Sequence, residues 1–542
     1  MKHWKVVILV AAIAIVPLVP YMLLGYANIS DDFRFHVTSW IDMKDAWLGG
    51  QMIPGWAAKA NFTLGDPHLA LYPPVSLILG GLLCLLLPIS IAPAAFVWLA
   101  LVAAGLAMYL ASEPFLSEDD RISAGVIYML SPYMLTSALV RFAAAELLVL
   151  ALLPLILLWF YRSVWQTDRR ATIWLGCFLG LTWITNIPAS IVLLYGLLPV
   201  AAACAWEQRS TKPVLRLMLA EGLAACLAAF LLLPIWFEQK WLNLSGLNVG
   251  NATRLYMLFV PDWPGGLRLR KVIFLANACV AILVIAGCLW KRTRRLSEDN
   301  PVRTWFYLAL ASIFFQLPFT LVLWKYLPEF RFAQFPFRFL ALTNASLPLI
   351  LLAVATPRSL RKSAYALIAI TALLPLLGYV WLVLGYARVP SFSDVANGWE
   401  HIGYQSAREY LPVQLIHAPL VRMAPVSVVG DDPGSNCRIV VQAQRLNEKV
   451  FTVDSRSSCQ IRLAISYYPL WRAVDESGQS LPTQKDANGL LLVGVPSGKH
   501  TINVKFREAS APRIAGAAIS LMSLIVTAAG LTWTRQPPPA SI

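Results

Sequence analysis

The chain has 542 residues, of which 58% are hydrophobic and only 13% are charged, and its formal net charge is +15. Soluble domains carry about 25% charged residues and single cores stop growing near about 300 residues, so this composition excludes a soluble one-core protein, a collagen and a disordered chain. It indicates a multi-pass membrane protein with basic cytoplasmic loops. No basic cluster with interleaved aromatic residues occurs in a polar segment, so we expect no nucleic-acid partner, and the lipid bilayer is the first partner predicted.

Uncharged runs long enough to span a bilayer predict twelve crossing helices. A further helix near 74–87 is bracketed by prolines, and we expect it to cross only partly or not at all. The predicted fold is therefore mainly α, a polytopic bundle of about 12–13 helices. The crossing helices are expected near 5–27, 91–112, 122–140, 144–162, 171–187, 188–206, 214–236, 272–290, 304–324, 337–356, 364–386 and 512–534.

The distribution of Lys and Arg over the loops predicts the orientation of the chain. If the short helix does not cross, the basic loops near 162–170, 209–216, 291–303 and 358–362 all fall on one side, together with the tail 535–542. That side is then the cytoplasm, and both termini are cytoplasmic. The acidic loop 113–121 disagrees, but acidic residues count little in this rule.

This orientation places segments 28–71, 237–271 and 387–511 outside the cytoplasm. The third segment is polar, and alternating patterns within it predict β-strands at 438–443, 450–455, 460–467, 490–495 and 500–506. We therefore expect a transmembrane domain over 1–386 with a first outer loop at 28–71, and a β-sandwich-like domain over 387–511. The last helix, 512–534, leads to the tail.

Two adjacent carboxylates, Asp31 and Asp32, open the first outer loop, and His36 follows one helical turn later. A carboxylate at the membrane surface can accept a proton from a hydroxyl or hold a divalent cation. Alternatively, both aspartates only stabilise the start of a helix. The residues alone do not separate these hypotheses.

Four more charged residues stand among apolar neighbours. Arg141 and Glu146 lie between predicted helices at the outer side, where charges at membrane depth are functional candidates and a structural ion pair is the alternative. Arg331 and Arg338 lie among five phenylalanines, and such arginines either bind a phosphate or snorkel from an aromatic belt.

Cys437 and Cys459 are the only cysteines in the polar segment. If the strands 438–443 and 450–455 form a hairpin centred on Glu448, the two cysteines oppose each other at disulfide distance. We therefore predict a disulfide, with two free buried thiols as the alternative.

Three motifs in order resemble the GT-C superfamily of membrane glycosyltransferases: SDDFRFH, YPP and RFAAAE. More narrowly, the chain is similar to bacterial membrane proteins labelled 6-pyruvoyl-tetrahydropterin synthase-related, through YPPVS, SPYMLTSALVRFAAAE, AQFPFRFLAL, YYPLWRAVDESG and VPSGKHTINVKF. That label implies no pterin chemistry here, because the zinc-binding histidine pattern is missing. The resemblance implies a bacterial cytoplasmic-membrane protein that uses a polyprenyl-phosphate-linked sugar.

Carried over from the resemblance, the catalytic acidic residue is Asp31 or Asp32, and a second acidic position that helps to hold a metal in some relatives falls on Glu146. A divalent cation would then lie between Asp31 and Glu146.

We expect an inverting transferase in which Asp32, favoured because it lies one turn before His36, activates an acceptor hydroxyl on a glycan, glycolipid or protein. His36, Glu146 and the three arginines would bind substrate. The alternatives are a transporter or flippase, which would need ionisable residues in mid-helix and inverted repeats that the sequence does not show, and a non-catalytic assembly protein for lipid-linked glycans.

Overall fold

The computed structural model describes residues 3–26, 31–166, 168–244, 251–260, 300–354, 358–385, 406–415, 423–429 and 437–533, and a few positions between 272 and 282 and at 404. The predicted fold class is confirmed: helices make up the first part of the chain, and a β-rich domain precedes the last helix. The helix predicted at 272–290 lies largely outside the described residues.

Nineteen α-helices are numbered here in chain order within the described residues. They are α1 His3–Ile13, α2 Val19–Leu24, α3 Phe33–Leu48, α4 His68–Leu71, α5 Pro74–Leu86, α6 Ala92–Ala111, α7 Glu118–Met129, α8 Pro132–Leu135, α9 Ala144–Trp165, α10 Arg169–Trp183, α11 Ile187–Glu207, α12 Lys212–Leu227, α13 Ala229–Glu238, α14 Asn251–Leu255, α15 Asn300–Phe314, α16 Leu321–Tyr326, α17 Leu340–Val354, α18 Arg358–Gly385 and α19 Ala511–Trp533.

Among the described residues, seven helical stretches are long and apolar enough to cross a membrane, or up to nine if each of two bent pairs counts as one span. The chain is therefore a multi-pass membrane protein. Helix α10 and the apolar part of α18 form where crossing helices were predicted, but both are shorter than a full span.

Besides the two bent pairs, two predicted helices that count as single candidate spans are interrupted near prolines. The first ends at Ile13, and a 3₁₀ turn containing Pro17 leads into α2, because proline lacks the N–H that would continue the helix. The helix predicted at 122–140 ends as α7 at Met129. After Pro132 it continues as α8 and a π-helical turn, Thr136–Val140, which ends directly before Arg141. Single π-helical turns are rare and frequently lie at functional sites.

Helix α5 is the short helix predicted from its prolines. Its 13 residues make it about 20 Å long, less than the ~30 Å of a bilayer core, so it is too short to cross on its own. It packs tightly on α3: a Cβ at Gly80 would lie 2.1 Å from the Trp40 indole. This contact holds the first outer loop against the helices of the membrane domain.

The described part of the β-rich domain contains nine strands in two antiparallel sheets, ordered β1-β4-β8-β7 and β2-β3-β9-β5-β6. Apolar side chains from both sheets, including Phe451, Ile461 and Ile502, are fully buried. All five predicted strands are present with ends shifted by at most two residues. The strands are β1 Val426–Val429, β2 Arg438–Arg445, β3 Glu448–Ser455, β4 Cys459–Ser466, β5 Trp471–Val474, β6 Ser480–Leu481, β7 Thr483–Lys485, β8 Leu490–Val495 and β9 Gly498–Phe506.

A buried ion pair joins the β-rich domain to the helices. Glu238, at the end of α13, accepts hydrogen bonds from Arg513 Nε and Nη2, both at 2.9 Å, and from the Tyr468 hydroxyl at 2.7 Å. Glu238 is 1% exposed. It therefore connects α13, α19 and the loop between β4 and β5.

The register predicted for the cysteine hairpin is wrong. The β2–β3 turn has only two residues, because Arg445 pairs with Glu448, and a bulge follows Val441. Cys459 instead lies in β4, in the other sheet. Even so, the Sγ atoms of Cys437 and Cys459, both free cysteines in the structure, are 2.7 Å apart. The disulfide stays a prediction, and quantitative thiol labelling without reductant decides it.

Candidate functional site

Asp32 occupies the first position before α3 and attaches the first outer loop to the loop after the π-helical turn. Its backbone N–H donates to the Arg141 carbonyl at 3.0 Å, and its own carbonyl accepts from the N–H of His36 at 3.0 Å. Burial raises the pKa of Asp32 to about 7, although the nearby Arg141 guanidinium opposes this shift. A carboxyl group with this pKa can act as a base near neutral pH.

Glu146 is the centre of a buried charged cluster. Its Oε2 lies 3.0 Å from Arg141 Nη2 and 3.2 Å from Arg338 Nε, and its Oε1 accepts from the Tyr133 hydroxyl. Arg141 follows the π-helical turn, Glu146 lies in the first turn of α9, and Arg338 lies in the 3₁₀ turn Pro336–Phe339. Two regions far apart in the chain, 133–146 and the turn Pro336–Phe339, therefore place four polar side chains together.

In this cluster two guanidinium groups share the Glu146 carboxylate, and the Asp32 carboxyl is the next acidic group near them. Arg338 uses Nη1 to donate to the Ala333 carbonyl at 3.0 Å and to Gln334 Oε1 at 2.8 Å. Arg141 is 2% exposed and lies over the Phe337 ring, and its buried Nη1 has no hydrogen-bond partner in the structure. A buried donor without a partner is costly, so Nη1 is a natural contact for an anion.

The predicted metal site is not supported by this arrangement. Both carboxylate oxygens of Glu146 already accept hydrogen bonds, and Asp31 is exposed at the loop surface. Among the residues that the structure describes, no group of three or more His, Cys, Asp or Glu side chains could hold a metal ion. The metal site at Asp31 and Glu146 therefore stays a prediction.

Two predicted substrate-binding residues lie outside the cluster. The ring of His36 is 2% exposed and packs near Trp40 and Tyr72, and burial lowers its pKa to about 3, so it is neutral. Arg331 pairs with Glu329 at 3.6 Å, and about half of each side chain is exposed. The structure thus brings together Asp32, Arg141, Glu146 and Arg338, but not Arg331.

An apolar cavity of about 330 Å³ lies beside the cluster. Its walls come from α10, α11 and α13, including Trp183, Ile187 and Trp236. The cavity is also lined by Gln334, which accepts a hydrogen bond from Arg338, and by Tyr410. The centroid of the Tyr410 ring lies 5.9 Å from that of Tyr72. The sequence did not predict this cavity, because its lining residues are dispersed and have no shared motif.

A second buried network holds the first outer loop together. His68 Nδ1 lies 2.6 Å from Asp66 Oδ1, and His68 Nε2 lies 3.0 Å from Ser39 Oγ. This sequence of groups has the connectivity of a hydrolytic triad, but all three side chains are completely buried. Ser39 also donates to the Phe35 carbonyl at 2.6 Å. We therefore interpret the network as one that fixes α3 in place.

Glu221 is a charged residue that sequence reasoning missed. It is 8% exposed in the middle of α12, and its Oε2 accepts from Trp183 Nε1 at 3.3 Å. The expectation that no ionisable residue occurs in mid-helix is therefore wrong. Tyr133 was also missed, because nothing around it in the sequence distinguishes it from a packed aromatic residue.

No known family of sequences matches the chain. No curated protein matches it either. The narrower resemblance to the 6-pyruvoyl-tetrahydropterin synthase-related proteins therefore stays a prediction.

The chain is similar to solved structures of an oligosaccharyltransferase from Archaeoglobus fulgidus. One was tethered to an acceptor peptide containing the NVT sequon through a disulfide (15% identity, TM-score 0.41). Another, archaeal oligosaccharyltransferase AglB in complex with an inhibitory peptide and a dolichol-phosphate, has 14% identity and a TM-score of 0.41. Each match covers 76% of this chain, and the chain spans 60% and 61% of their respective lengths. The fold class assigned above rests on the helices and strands themselves and not on this similarity.

Proposed function

We propose that the protein is a membrane glycosyltransferase that moves a sugar from a polyprenyl-phosphate donor to an acceptor hydroxyl. One observation carries this proposal: a carboxyl group with a pKa of about 7, Asp32, lies beside Arg141 with its buried unpaired donor. The apolar cavity adjoins the cluster through Gln334, which accepts a hydrogen bond from Arg338. A base, an anion contact and an apolar chamber are the three parts that such a transfer needs.

In this mechanism Asp32 accepts the proton of the acceptor hydroxyl. The hydroxyl oxygen then bonds to the anomeric carbon, and the bond from that carbon to the phosphate oxygen breaks on the opposite face. The phosphate leaves with the bonding electron pair, and the configuration is inverted. A lipid phosphate is a weak base, so the reaction needs no strong general acid.

The arginines of the cluster stabilise the leaving phosphate. Arg141 Nη1 is free to donate to it, and Arg338 is held in place by Glu146 and Gln334. Both guanidinium groups are buried, and charges in a water-poor site stabilise a developing anion more strongly than charges in water. The cavity lined by Trp183 and Ile187 receives the first part of the prenyl chain.

We further propose that the reaction takes place on the outer face of a bacterial cytoplasmic membrane, with both termini in the cytoplasm. The β-rich domain would then meet the acceptor, which is a glycan, a glycolipid or a protein. Reporter fusions at Arg294 and Gly478 should therefore give opposite locations. The same location for both would contradict this topology.

The direct test is transfer of labelled sugar by the purified protein from a panel of polyprenyl-phosphate donors. Transfer that is present in the wild type and lost in Asp32→Asn supports the proposal. The matched control is Asp119→Asn, because Asp119 is an exposed carboxylate at the start of a different helix, α7. Absence of transfer with every donor would count against an enzyme and in favour of an assembly protein.

A transporter or flippase is the second candidate, and Glu221 is the observation that favours it. A buried carboxylate inside a membrane helix is a common element of proton-coupled transport. If the protein moves lipid-linked glycans, Glu221→Gln should abolish their appearance on the far side of reconstituted vesicles. If it is a transferase, this variant should retain sugar transfer.

A further inference from the structure

A basic groove lies on the β-rich domain, away from the cluster around Glu146. It has a volume of about 500 Å³ and lies beside the ends of β3, β5 and β9. Three cations, Arg472, Lys505 and Arg507, line it together with one carboxylate, Glu508, so the lining has a net charge of two positive units. The amides of Asn447 and Asn503 line it as well.

Two of these cations face each other without a counter-charge. Arg472 and Lys505 are directly opposite partners in the β5–β9 ladder, and both side chains are exposed. Like charges at directly opposite positions destabilise a sheet. An anion bound between them would remove this penalty.

The nearest acidic residue in the sheet does not neutralise the pair. Glu448 is opposite Lys505 in the β3–β9 ladder, but its carboxylate accepts from Asn503 Nδ2 at 2.8 Å and pairs with Arg445 at 3.6 Å. Within the described part of the chain, none of the three cations lining the groove forms an ion pair. Their charge is therefore available to a ligand.

The position of the groove indicates where this anion comes from. Its lining continues through Ala509, and helix α19, a candidate membrane span, begins at Ala511. Only 11% of the most apolar window of that span is buried, because one side of the helix packs on α13, where a Cβ at Gly516 would lie 2.4 Å from the Ala229 carbonyl oxygen, and the rest of its surface faces lipid. The groove therefore lies at the height of the lipid headgroups.

We propose that this groove binds the phosphate of an anionic phospholipid headgroup on the side of the membrane that carries the β-rich domain. Two cations at the membrane surface attract such a headgroup, and the amides of Asn447 and Asn503 are suited to its glycerol hydroxyls. The bound lipid would hold the outer domain at a fixed height above the bilayer. This site is independent of the transferase proposal.

The test is native mass spectrometry of the purified full-length protein, delipidated and then titrated with phosphatidylglycerol or phosphatidylcholine. Each cation near an anionic lipid raises the binding constant by a factor of about five. The double variant Arg472→Gln with Lys505→Gln should therefore retain about 25-fold less phosphatidylglycerol than the wild type. The wild type should retain phosphatidylglycerol in preference to phosphatidylcholine.

Lys499→Gln is the matched control, because Lys499 is exposed on the same face of β9, six residues from Lys505, which places it about 20 Å away. It should retain phosphatidylglycerol like the wild type. If the double variant does not fold, Lys505→Gln alone should show the fivefold loss. Equal retention in wild type and variants, equal retention of both lipids, or displacement of phosphatidylglycerol by millimolar inorganic phosphate would each overturn the proposal.

Discussion

Two buried glutamates of this protein have similar partners and different surroundings. Glu238 accepts from one arginine, through two hydrogen bonds, and from the Tyr468 hydroxyl. Glu146 accepts from two arginines and from the Tyr133 hydroxyl. The first group is balanced in charge. In the second, two guanidinium groups share the Glu146 carboxylate, and Arg141 Nη1 has no partner. A balanced cluster stabilises the fold, and one with an unpaired donor is suited to hold a ligand.

The largest effect, a loss of folding stability, is expected at the cluster around Glu238. Arg513→Gln leaves the Glu238 carboxylate buried without its counter-charge, which should lower the free energy of unfolding by about 3–5 kcal/mol. Thermal unfolding in detergent measures this loss. Arg456→Gln, which removes an exposed arginine of the same domain, is the control and should change little. Equal unfolding temperatures for both variants would show that Glu238 does not connect the domains.

The next effect is on catalysis. Asp32→Asn should lower sugar transfer by at least about 100-fold, the scale of lost general-base catalysis, and leave thermal unfolding unchanged. Asp31→Asn, at the exposed neighbour, should have a much smaller effect. If both single variants and the double variant keep full activity, the two aspartates serve only as the start of α3.

A smaller loss of sugar transfer is expected when the unpaired donor, Arg141 Nη1, is removed from the cluster around Glu146. Arg141→Lys keeps the positive charge but lacks the second Nη, so transfer should fall by about tenfold, the scale of one hydrogen bond to a charged group. The loss should be accompanied by weaker binding of polyprenyl phosphate. Arg331→Lys, at a half-exposed pair, is the control. Unchanged binding in Arg141→Lys would remove the anion contact from the mechanism.

The smallest effect is the pH dependence. Protonated Asp32 cannot accept a proton, and its pKa is about 7. The value of kcat/KM should therefore rise with pH and fall about fivefold between pH 7 and pH 6. His36 does not contribute in this range, because its pKa is lowered to about 3. A flat profile between pH 6 and pH 8 would assign the role of base to another group.

The sequence predicted those elements that depend on local patterns. Alternation located the strands of the β-rich domain, and prolines identified α5 as a short helix. The sequence did not predict contacts between residues that are far apart in the chain. Arg338 and Glu146 are 192 positions apart, and no local pattern shows that they meet. The hairpin register failed for a different reason: the turn has only two residues, since Arg445 pairs with Glu448, and a bulge after Val441 shifts the pairs beyond it once more.

Most of the charged residues predicted for the site do lie there, but the sequence did not predict which of them contact each other. Arg141 and Glu146 were recognised because charges are rare at membrane depth, and Asp32 because it is one of two adjacent carboxylates that open the first outer loop. Tyr133, Gln334 and Tyr410 were missed, because uncharged polar and aromatic residues are common at membrane interfaces. Glu221 was missed because it lies in a helix whose other features are those of an ordinary span.

The π-helical turn Thr136–Val140 also affects how related chains should be compared with this one. Each residue of an α-helix advances the chain by about 100° around the helix axis. Deleting a single residue from this turn would restore regular α-helix and rotate Arg141 by about that angle, away from Glu146. A one-residue gap at 136–140 in an aligned sequence would therefore mark a protein that cannot assemble this cluster, even if it keeps both charged residues.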